Sequence, residues 1–270
     1  MSERVTLVMC LYNQLPLTRA CLDSLGGITE PFRLVVIDNG STDGTREFFR
    51  RFGAPAPLRF VESDSNDSVI ASLNRAWRAV ETEYLCLLHN DTEMLEPAWL
   101  ARLLGALHEP GVGMAGLYGV KRVRRDGRFV GRTIVHSLAE RPTVRPPWEE
   151  VAAIDAVCMC LSRALMEAVG GLDESFGFYH GYDKDLSFTV REAGRRCLVV
   201  HAPFHHRGGG TRTETFARNP ERESGDLRLR KIAADRFLAK WGHRLPSDVR
   251  PRPARVREWV TAKLASVRRG

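Results

Sequence analysis

The stretch Tyr84-Leu-Cys-Leu-Leu-His-Asn-Asp-Thr-Glu93 decides the fold. It begins with five mostly apolar residues and ends abruptly in a polar knot carrying the carboxylate Asp91. A short apolar run bounded in this way reads as a strand buried on both faces. A helical pattern follows over residues 97–108. An acid at the carboxyl end of a buried strand lies where open α/β sheets place their ligands.

The same rhythm recurs upstream. Val5-Thr-Leu-Val-Met-Cys-Leu11 is a continuous apolar run, and Tyr12-Asn13 ends it. Pro16 opens a helix reaching about Leu25, since proline is tolerated in a first turn. Phe32-Arg-Leu-Val-Val-Ile37 is a second strand, ending in Asp38-Asn-Gly-Ser-Thr-Asp-Gly44. That loop is rich in turn formers, and Ser41 or Thr42 is placed to cap the helix carrying Phe48 and Phe49. Residues 58–61 read as a third strand, and Ser68 caps a helix running to Val80. The alternation predicts an α/β domain with a Rossmann-like, mostly parallel sheet and flanking helices. Asp38 and Asp91 then share one crevice.

After Pro110 the rhythm changes. Residues 112–117 read as a strand, and the basic segment 121–133 as a hairpin turning at Asp126-Gly127. Residues 137–150 contain Pro142, Pro146 and Pro147 and are expected to form a loop. A strand over 154–161, a short helix over 163–169, a helix over 183–193 and a strand over 197–201 follow. The last runs into His205-His206. Ala233, Phe237, Leu238 and Trp241 give a charged helix one apolar face. Residues 246–253 read as a linker, and Val256, Trp259, Val260, Leu264 and Val267 form a further stripe flanked by Arg and Lys.

The chain has 270 residues, 43% hydrophobic and 27% charged, enough for a sizeable core. No run approaches the roughly 20 apolar residues of a membrane span. The first residues lead straight into a strand without a signal-peptide pattern, so the expected location is cytoplasmic. The net charge of +7 permits nucleic acid, anionic lipid or phosphorylated ligands and selects none. Helix-turn-helix, zinc and RNP-like signatures are missing, so nucleic acid is not an expected partner. The six cysteines lack zinc-knuckle spacing and read as reduced core thiols.

Several stretches line up in a fixed order: Val8-Met-Cys-Leu-Tyr-Asn13, Val36-Ile-Asp-Asn-Gly-Ser-Thr-Asp-Gly-Thr45, residues 66–74, Leu88-His-Asn-Asp-Thr-Glu93, Asp155-Ala-Val, Val169-Gly-Gly-Leu-Asp-Glu174, Gly181-Tyr-Asp-Lys-Asp-Leu186 and His205-His-Arg-Gly-Gly-Gly-Thr211. Together they resemble family 2 glycosyltransferases of the GT-A fold, closest to the branch of rhamnosyl- and galactofuranosyltransferases. The resemblance implies a GT-A domain over 1–212, with a nucleotide-sugar half at 1–117 and an acceptor half at 118–212, followed by a C-terminal helical extension at 213–270. It implies inverting, metal-dependent transfer of a sugar from a nucleotide diphosphate sugar to a hydroxyl of a polysaccharide, glycan or lipid-linked acceptor. A dTDP- or UDP-sugar is the expected donor, with dTDP-rhamnose the first to try.

On this resemblance Tyr12, Asn13, Asp38, Asn90 and Asp91 bind the donor, and Asp38 reads the imide edge of the base. Asp91 is the last acid of the metal motif, Asp183 matches the general base, and His206 or His205 completes the metal site. His206 fits the spacing to Gly209, Gly210 and Thr211. Two positions depart from the family pattern. His89 stands where Asp or Asn is usual, and metal binding, ribose contact and simple packing all remain open for it. Tyr182 stands where Glu is usual.

The chemistry explains the residue types. A departing nucleotide diphosphate is strongly anionic, and Mn2+ or Mg2+ bridging its phosphates stabilises it. One carboxylate and one imidazole suffice, because phosphate oxygens and water complete the shell. Imidazole tilts the choice toward Mn2+. A helix N-terminus lowers a carboxylate's pKa, so Asp183 needs an opposing apolar setting as a base, and Phe176, Phe178, Tyr179 and Tyr182 are placed to supply it. Asp185 reads as stabilising the same helix end. The alternatives are a catalytically weak donor-binding protein of this fold and, less favoured, a basic nucleic-acid-binding protein. The basic tail helix with Trp259 resembles a membrane-surface helix, which implies peripheral contact with anionic membrane.

Overall fold

The apolar runs become strands β1 Val5–Leu11, β2 Phe32–Asn39, β3 Leu58–Ser63 and β4 Tyr84–Leu88. There follow β5 Thr92–Met94, β6 Val112–Gly116, β7 Gly119–Val123, β8 Phe129–Arg132, β9 Trp148–Val151, β10 Ala153–Ile154, β11 Cys158–Ser162, β12 Arg196–Val200, β13 Phe204–His206 and β14 Ser247–Asp248. The helices are α1 Leu15–Leu25, α2 Thr45–Arg51, α3 Val69–Arg78, α4 Trp99–Leu107, α5 Arg163–Ala168, α6 Tyr182–Glu192 and α7 Pro220–Trp241. The computed structural model describes residues 3–132, 147–207 and 220–250.

Eight strands form the main sheet in the order β3-β2-β1-β4-β11-β6-β12-β9. β1 runs parallel to β2 and β4, β2 to β3, and β12 to β6, whereas β11 and β9 run against their neighbours. The register Leu11↔Asp38 and Val8↔Leu87 aligns the carboxyl ends of β1, β2 and β4.

The unbroken apolar runs are explained by cover on both faces. Leu7, Met9 and Leu11 pack with Leu22 and Leu25 of α1 and Trp99 and Leu103 of α4. Val8 points the other way, into a core with Ile70, Leu73 and Trp77 of α3 and Leu186 of α6. Each such fully buried Leu or Met contributes about 1.5–3 kcal/mol relative to exposure. All six cysteines are free thiols, five of them buried.

The structure corrects several expectations. The strand expected over 154–161 is broken: β10 belongs to a second sheet with β7, and β11 to the main sheet. Asp155 makes the break, its Oδ1 accepting from Val157 N at 3.1 Å and turning the chain between sheets. Residues 148–150, expected as loop, belong to the edge strand β9, because β12 offers them a free hydrogen-bonding edge. Part of the expected linker is β14, paired with β7. Residues 133–146, the glycine run 208–210 with Thr211, and the tail stripe from Val256 to Val267 lie outside the described residues.

Helix α7 is docked through its apolar face. Ala233, Phe237 and Trp241 share the core that contains Phe176 and Phe188, and the Phe188 and Phe237 rings meet edge to face at 5.1 Å. Asp185, in the first turn of α6, is also buried at this joint. It accepts from Trp241 Nε1 at 2.7 Å and pairs with Lys240 at 2.8 Å. Among the described residues, no helix is long and apolar enough to cross a membrane.

Candidate active site

A cleft of about 670 Å3 opens at the carboxyl ends of β1 and β4, within the size range of small-molecule sites. Tyr12, Asn13, His89, Asn90, Asp91, Asp155, Tyr182, Asp183 and His206 all line it. It therefore brings together every sequence-predicted site residue except Asp38 and His205.

The donor wall is built where β1 stops. Asn13 and Gln14 both adopt left-handed backbone, φ 55° and 62°, a conformation costing about 1–2 kcal/mol per non-glycine residue. Hydrogen bonds hold it: Asn13 N donates to Ser41 Oγ, and Thr42 N to Asn13 Oδ1, both at 2.7 Å. Ser41 and Thr42 thus fix Asn13 rather than capping α2, which begins after Gly44 with φ 91°. Gly40, at φ +85°, lets this turn press on residues 65 and 66, where a Cβ would lie 2.7 Å from the Ser65 carbonyl carbon.

Asp38 stands one layer behind this wall and is fully buried. Its Oδ2 accepts from Arg46 Nε at 2.7 Å and Ser41 N at 3.1 Å, while Oδ1 is buried without a partner among the described residues. Asn90 Nδ2 donates to Thr18 Oγ1 at 2.9 Å, fixing the side chain beside Asp91.

The second corner gathers two imidazoles on one carboxylate. Strand β13 pairs antiparallel with β5, so His206 lies opposite Thr92 and His205 opposite Glu93. Strand alternation sends the two rings opposite ways. His206 Nε2 reaches 3.2 Å from Asp91 Oδ1, whereas His205 Nδ1 faces Glu93 at 3.9 Å. His89 Nδ1 approaches the same Asp91 oxygen at 3.8 Å. The ligand atoms of His89, Asp91 and His206 all lie within 4.8 Å of one another.

The His206 approach is near enough for a hydrogen bond but off its line, so Nε2 is a buried nitrogen without an aligned partner among the described residues. Burial alone would raise the Asp91 pKa. The His206 nitrogen at hydrogen-bonding distance and the charges of His89 and His206 outweigh it and hold Asp91 down to about 2.

These residues fit a divalent cation. Metal–ligand bonds of about 2.0–2.2 Å place neighbouring donor atoms about 3 Å apart and opposite ones about 4 Å apart. The 3.2 and 3.8 Å separations fall in that span.

The third corner is the first turn of α6. Gly181, with φ +82°, starts the helix, and a Cβ there would lie 2.8 Å from Phe176 Cδ1. This tight turn sets Asp183 in the cleft wall with Phe178, Tyr179, Tyr182 and Asp155. Burial first, and then the negative charge of Asp155, push Asp183 up to about 6, against the opposing Lys184 charge. The apolar surroundings thus overcome the helix N-terminus.

Sequence reading missed three contributors. Asp155 was seen only as part of a motif, because the strand break that exposes it is a tertiary effect. His180 and Arg230 line the far rim, and both meet Asp226 of α7, at 2.8 Å each. Asp226 also accepts from the Tyr179 hydroxyl. The charged pattern of residues 220–240 carries no signal that Asp226 is buried against residues of the cleft rim.

The sequence profile of Glycosyl transferase family 2 matches residues 6–167. The chain belongs to this family, and its architecture is the GT-A fold. It is 28% identical over 209 residues to the uncharacterized protein y4gI of Sinorhizobium fredii, covering 70% of this chain and 23% of that one. It is 25% identical over 236 residues to the O-antigen biosynthesis protein RfbC of Myxococcus xanthus, covering 80% of this chain and 18% of that one. The chain thus spans about a fifth of the length of these relatives. Among solved structures it resembles the mannosyltransferase PcManGT from Pyrobaculum calidifontis in complex with GDP-Man and Mn2+. The likeness has a TM-score of 0.56 at 20% identity, covering 98% of this chain and 81% of that one.

Proposed function

We propose that this chain is an inverting, metal-dependent glycosyltransferase that moves a sugar from a nucleotide diphosphate sugar to an acceptor hydroxyl. One observation carries the reading. The cleft holds two carboxylates in opposite settings, Asp91 held down to about 2 beside imidazoles and Asp183 pushed up to about 6 in an apolar wall. A pair so separated suits one permanent anion and one proton acceptor.

Asp91 and His206 are the residues that would hold Mn2+ or Mg2+ on the donor phosphates. The bound cation stabilises the negative charge of the departing diphosphate. Tyr12, Asn13 and Asn90 flank the space for base and ribose. Asp38 is assigned to the base through its unpartnered Oδ1, which a shift of the turn from Ser41 to Thr45 has to uncover. Asp183 takes the proton from the acceptor hydroxyl as its oxygen attacks the anomeric carbon from the side opposite the diphosphate. Phe178, Tyr179 and Tyr182 keep bulk water from that carboxylate.

Uracil and thymine share the imide edge that Asp38 would meet, so UDP- and dTDP-sugars are the leading donors, with dTDP-rhamnose first. The named relative in O-antigen biosynthesis supports a glycan or lipid-linked glycan acceptor. Peripheral membrane contact through the basic tail remains a proposal drawn from the sequence alone. The test is a thermal-shift screen of UDP-, dTDP- and GDP-sugars with Mn2+ and with EDTA. One donor class should raise the melting temperature only with Mn2+. No shift with any nucleotide sugar would overturn the reading.

A further inference from the structure

We infer that the acceptor carries an oxyanion, a phosphate or a carboxylate, and that Arg230 grips it while Asp183 takes the proton of the attacking hydroxyl. This rests on the glycosyltransferase reading above and deepens it to the charge class of the acceptor.

The cleft is otherwise acidic. Asp91, Asp155 and Asp183 line it, and among the described residues Arg230 is the single Arg or Lys in its wall. An anionic acceptor entering beside three carboxylates meets repulsion, which a guanidinium at the rim offsets. A neutral sugar would meet the same guanidinium only through uncharged oxygens. Hydrogen bonds between two charged partners are shorter and stronger than those. The charge at this rim therefore favours an acceptor that brings a negative group of its own.

Helix α7 presents this guanidinium with its fork open. Arg230 Nε donates to Asp226 Oδ2 at 2.8 Å, whereas its two terminal nitrogens have no hydrogen-bond partner among the described residues, and 47% of the side chain is exposed. An ion pair one turn apart on a helix adds little stability when one partner is this exposed. Helix stability therefore does not account for its place in the cleft wall. Pinning at Nε fixes the plane of the fork. Its terminal nitrogens are then set for two parallel N–H···O bonds to a single phosphate or carboxylate.

The fork is tied to the segment that carries the base. Asp226 accepts from the Tyr179 hydroxyl and lies 2.8 Å from His180 Nε2. Those two residues lead through Gly181, φ +82°, into the first turn of α6 and Asp183. Arg230 and Asp183 are thus held by one short stretch of chain, and both line the cleft. An acceptor held at its oxyanion by Arg230 and at its hydroxyl by Asp183 is fixed at two points. Such fixing orients the attacking oxygen.

The test measures probe binding to the full chain by ligand-observed NMR, in EDTA so that no probe is held by a cation. The probes are glucose 6-phosphate, methyl glucuronide and the neutral methyl glucoside. The wild type should bind at least one anionic probe about tenfold or more tightly than the neutral one. Preference for glucose 6-phosphate names a phosphorylated acceptor, and preference for methyl glucuronide a uronate. Arg230→Gln should bind all three probes alike. Arg230→Lys should keep part of the preference, since it retains the charge without the fork. Unchanged melting temperatures check that the variants fold. Binding of UDP, dTDP and GDP with Mn2+ should be the same in the wild type and Arg230→Gln. Equal binding of the three probes by the wild type, no binding of either anionic probe, or a preference that survives in Arg230→Gln overturns the inference. So does loss of nucleotide binding in Arg230→Gln, which assigns the guanidinium to the donor and leaves the donor reading standing. A wild type that binds no nucleotide overturns the donor reading, and the acceptor assignment with it, even where the anion preference holds.

Discussion

Two carboxylates in one cleft have opposite surroundings. Asp91 ends a buried strand and faces His89 and His206, which hold it down to about 2. Asp183 opens a helix whose N-terminus should lower it, yet burial and Asp155 push it up to about 6. The difference lies in the neighbours each backbone position gathers, not in residue type. Where two imidazoles converge on a carboxylate, a permanent anion is stabilised. Where apolar rings and a second acid converge, a proton acceptor near neutrality results.

The sharpest way to break this contrast is to neutralise each acid in turn. Asp183→Asn should lower transfer by about 10²–10⁴-fold, the usual range for a lost general base, and leave donor affinity intact. Asp91→Asn should lower it by about 10²–10³-fold and remove the response to Mn2+. Steady-state rates with and without added cation separate the two.

The pH profile sharpens the contrast further. Asp183 acts as its carboxylate, so wild-type transfer should fall as pH drops through about 6. Asp155→Asn removes a charge that raises Asp183, so the acidic limb should move to lower pH. A limb that stays in place or moves up would remove Asp155 from the account.

Stability should follow the opposite sign. A carboxyl raised in the folded state above its unfolded value of about 3.9 stabilises most below that value, and this contribution is lost as pH rises through about 6. At pH 7, Asp183→Asn should therefore be neutral or stabilising by on the order of 1 kcal/mol in urea unfolding, although it abolishes most turnover. Asp185→Asn, two residues on, should do the reverse. It weakens the joint with Lys240 and Trp241 and should cost about 1–2 kcal/mol while changing turnover less than tenfold.

The contrast also marks how far the sequence could be read. The strands from Val5, Phe32 and Tyr84 were legible because burial on both faces demands unbroken apolar runs. Asp91 was legible from its place at a strand end, whereas Asp183 was pointed out by the family resemblance, since a helix start by itself argues against a base. His206 was favoured over His205 by its spacing to Gly209, Gly210 and Thr211, whereas the three-residue pairing of β13 with β5 that turns the two rings apart is too short to leave a periodic signal. Asp155 was hidden because its neighbours Ile154 and Val157 look like one continuous strand. The docking of α7 on Asp185 was invisible, since a charged helix with Ala233, Phe237 and Trp241 on one face does not name its partner. Asp38, expected at the base from the resemblance, lies fully buried and held by Arg46 and Ser41, a tertiary setting that the loop sequence does not announce.

The most direct measurement is calorimetric titration of UDP, dTDP and GDP, each with Mn2+, into the wild type, Asp91→Asn and Asp183→Asn. The account predicts that one nucleoside diphosphate binds the wild type and Asp183→Asn alike and that Asp91→Asn loses it. Loss of binding in Asp183→Asn with retention in Asp91→Asn would reverse the two roles and contradict the account.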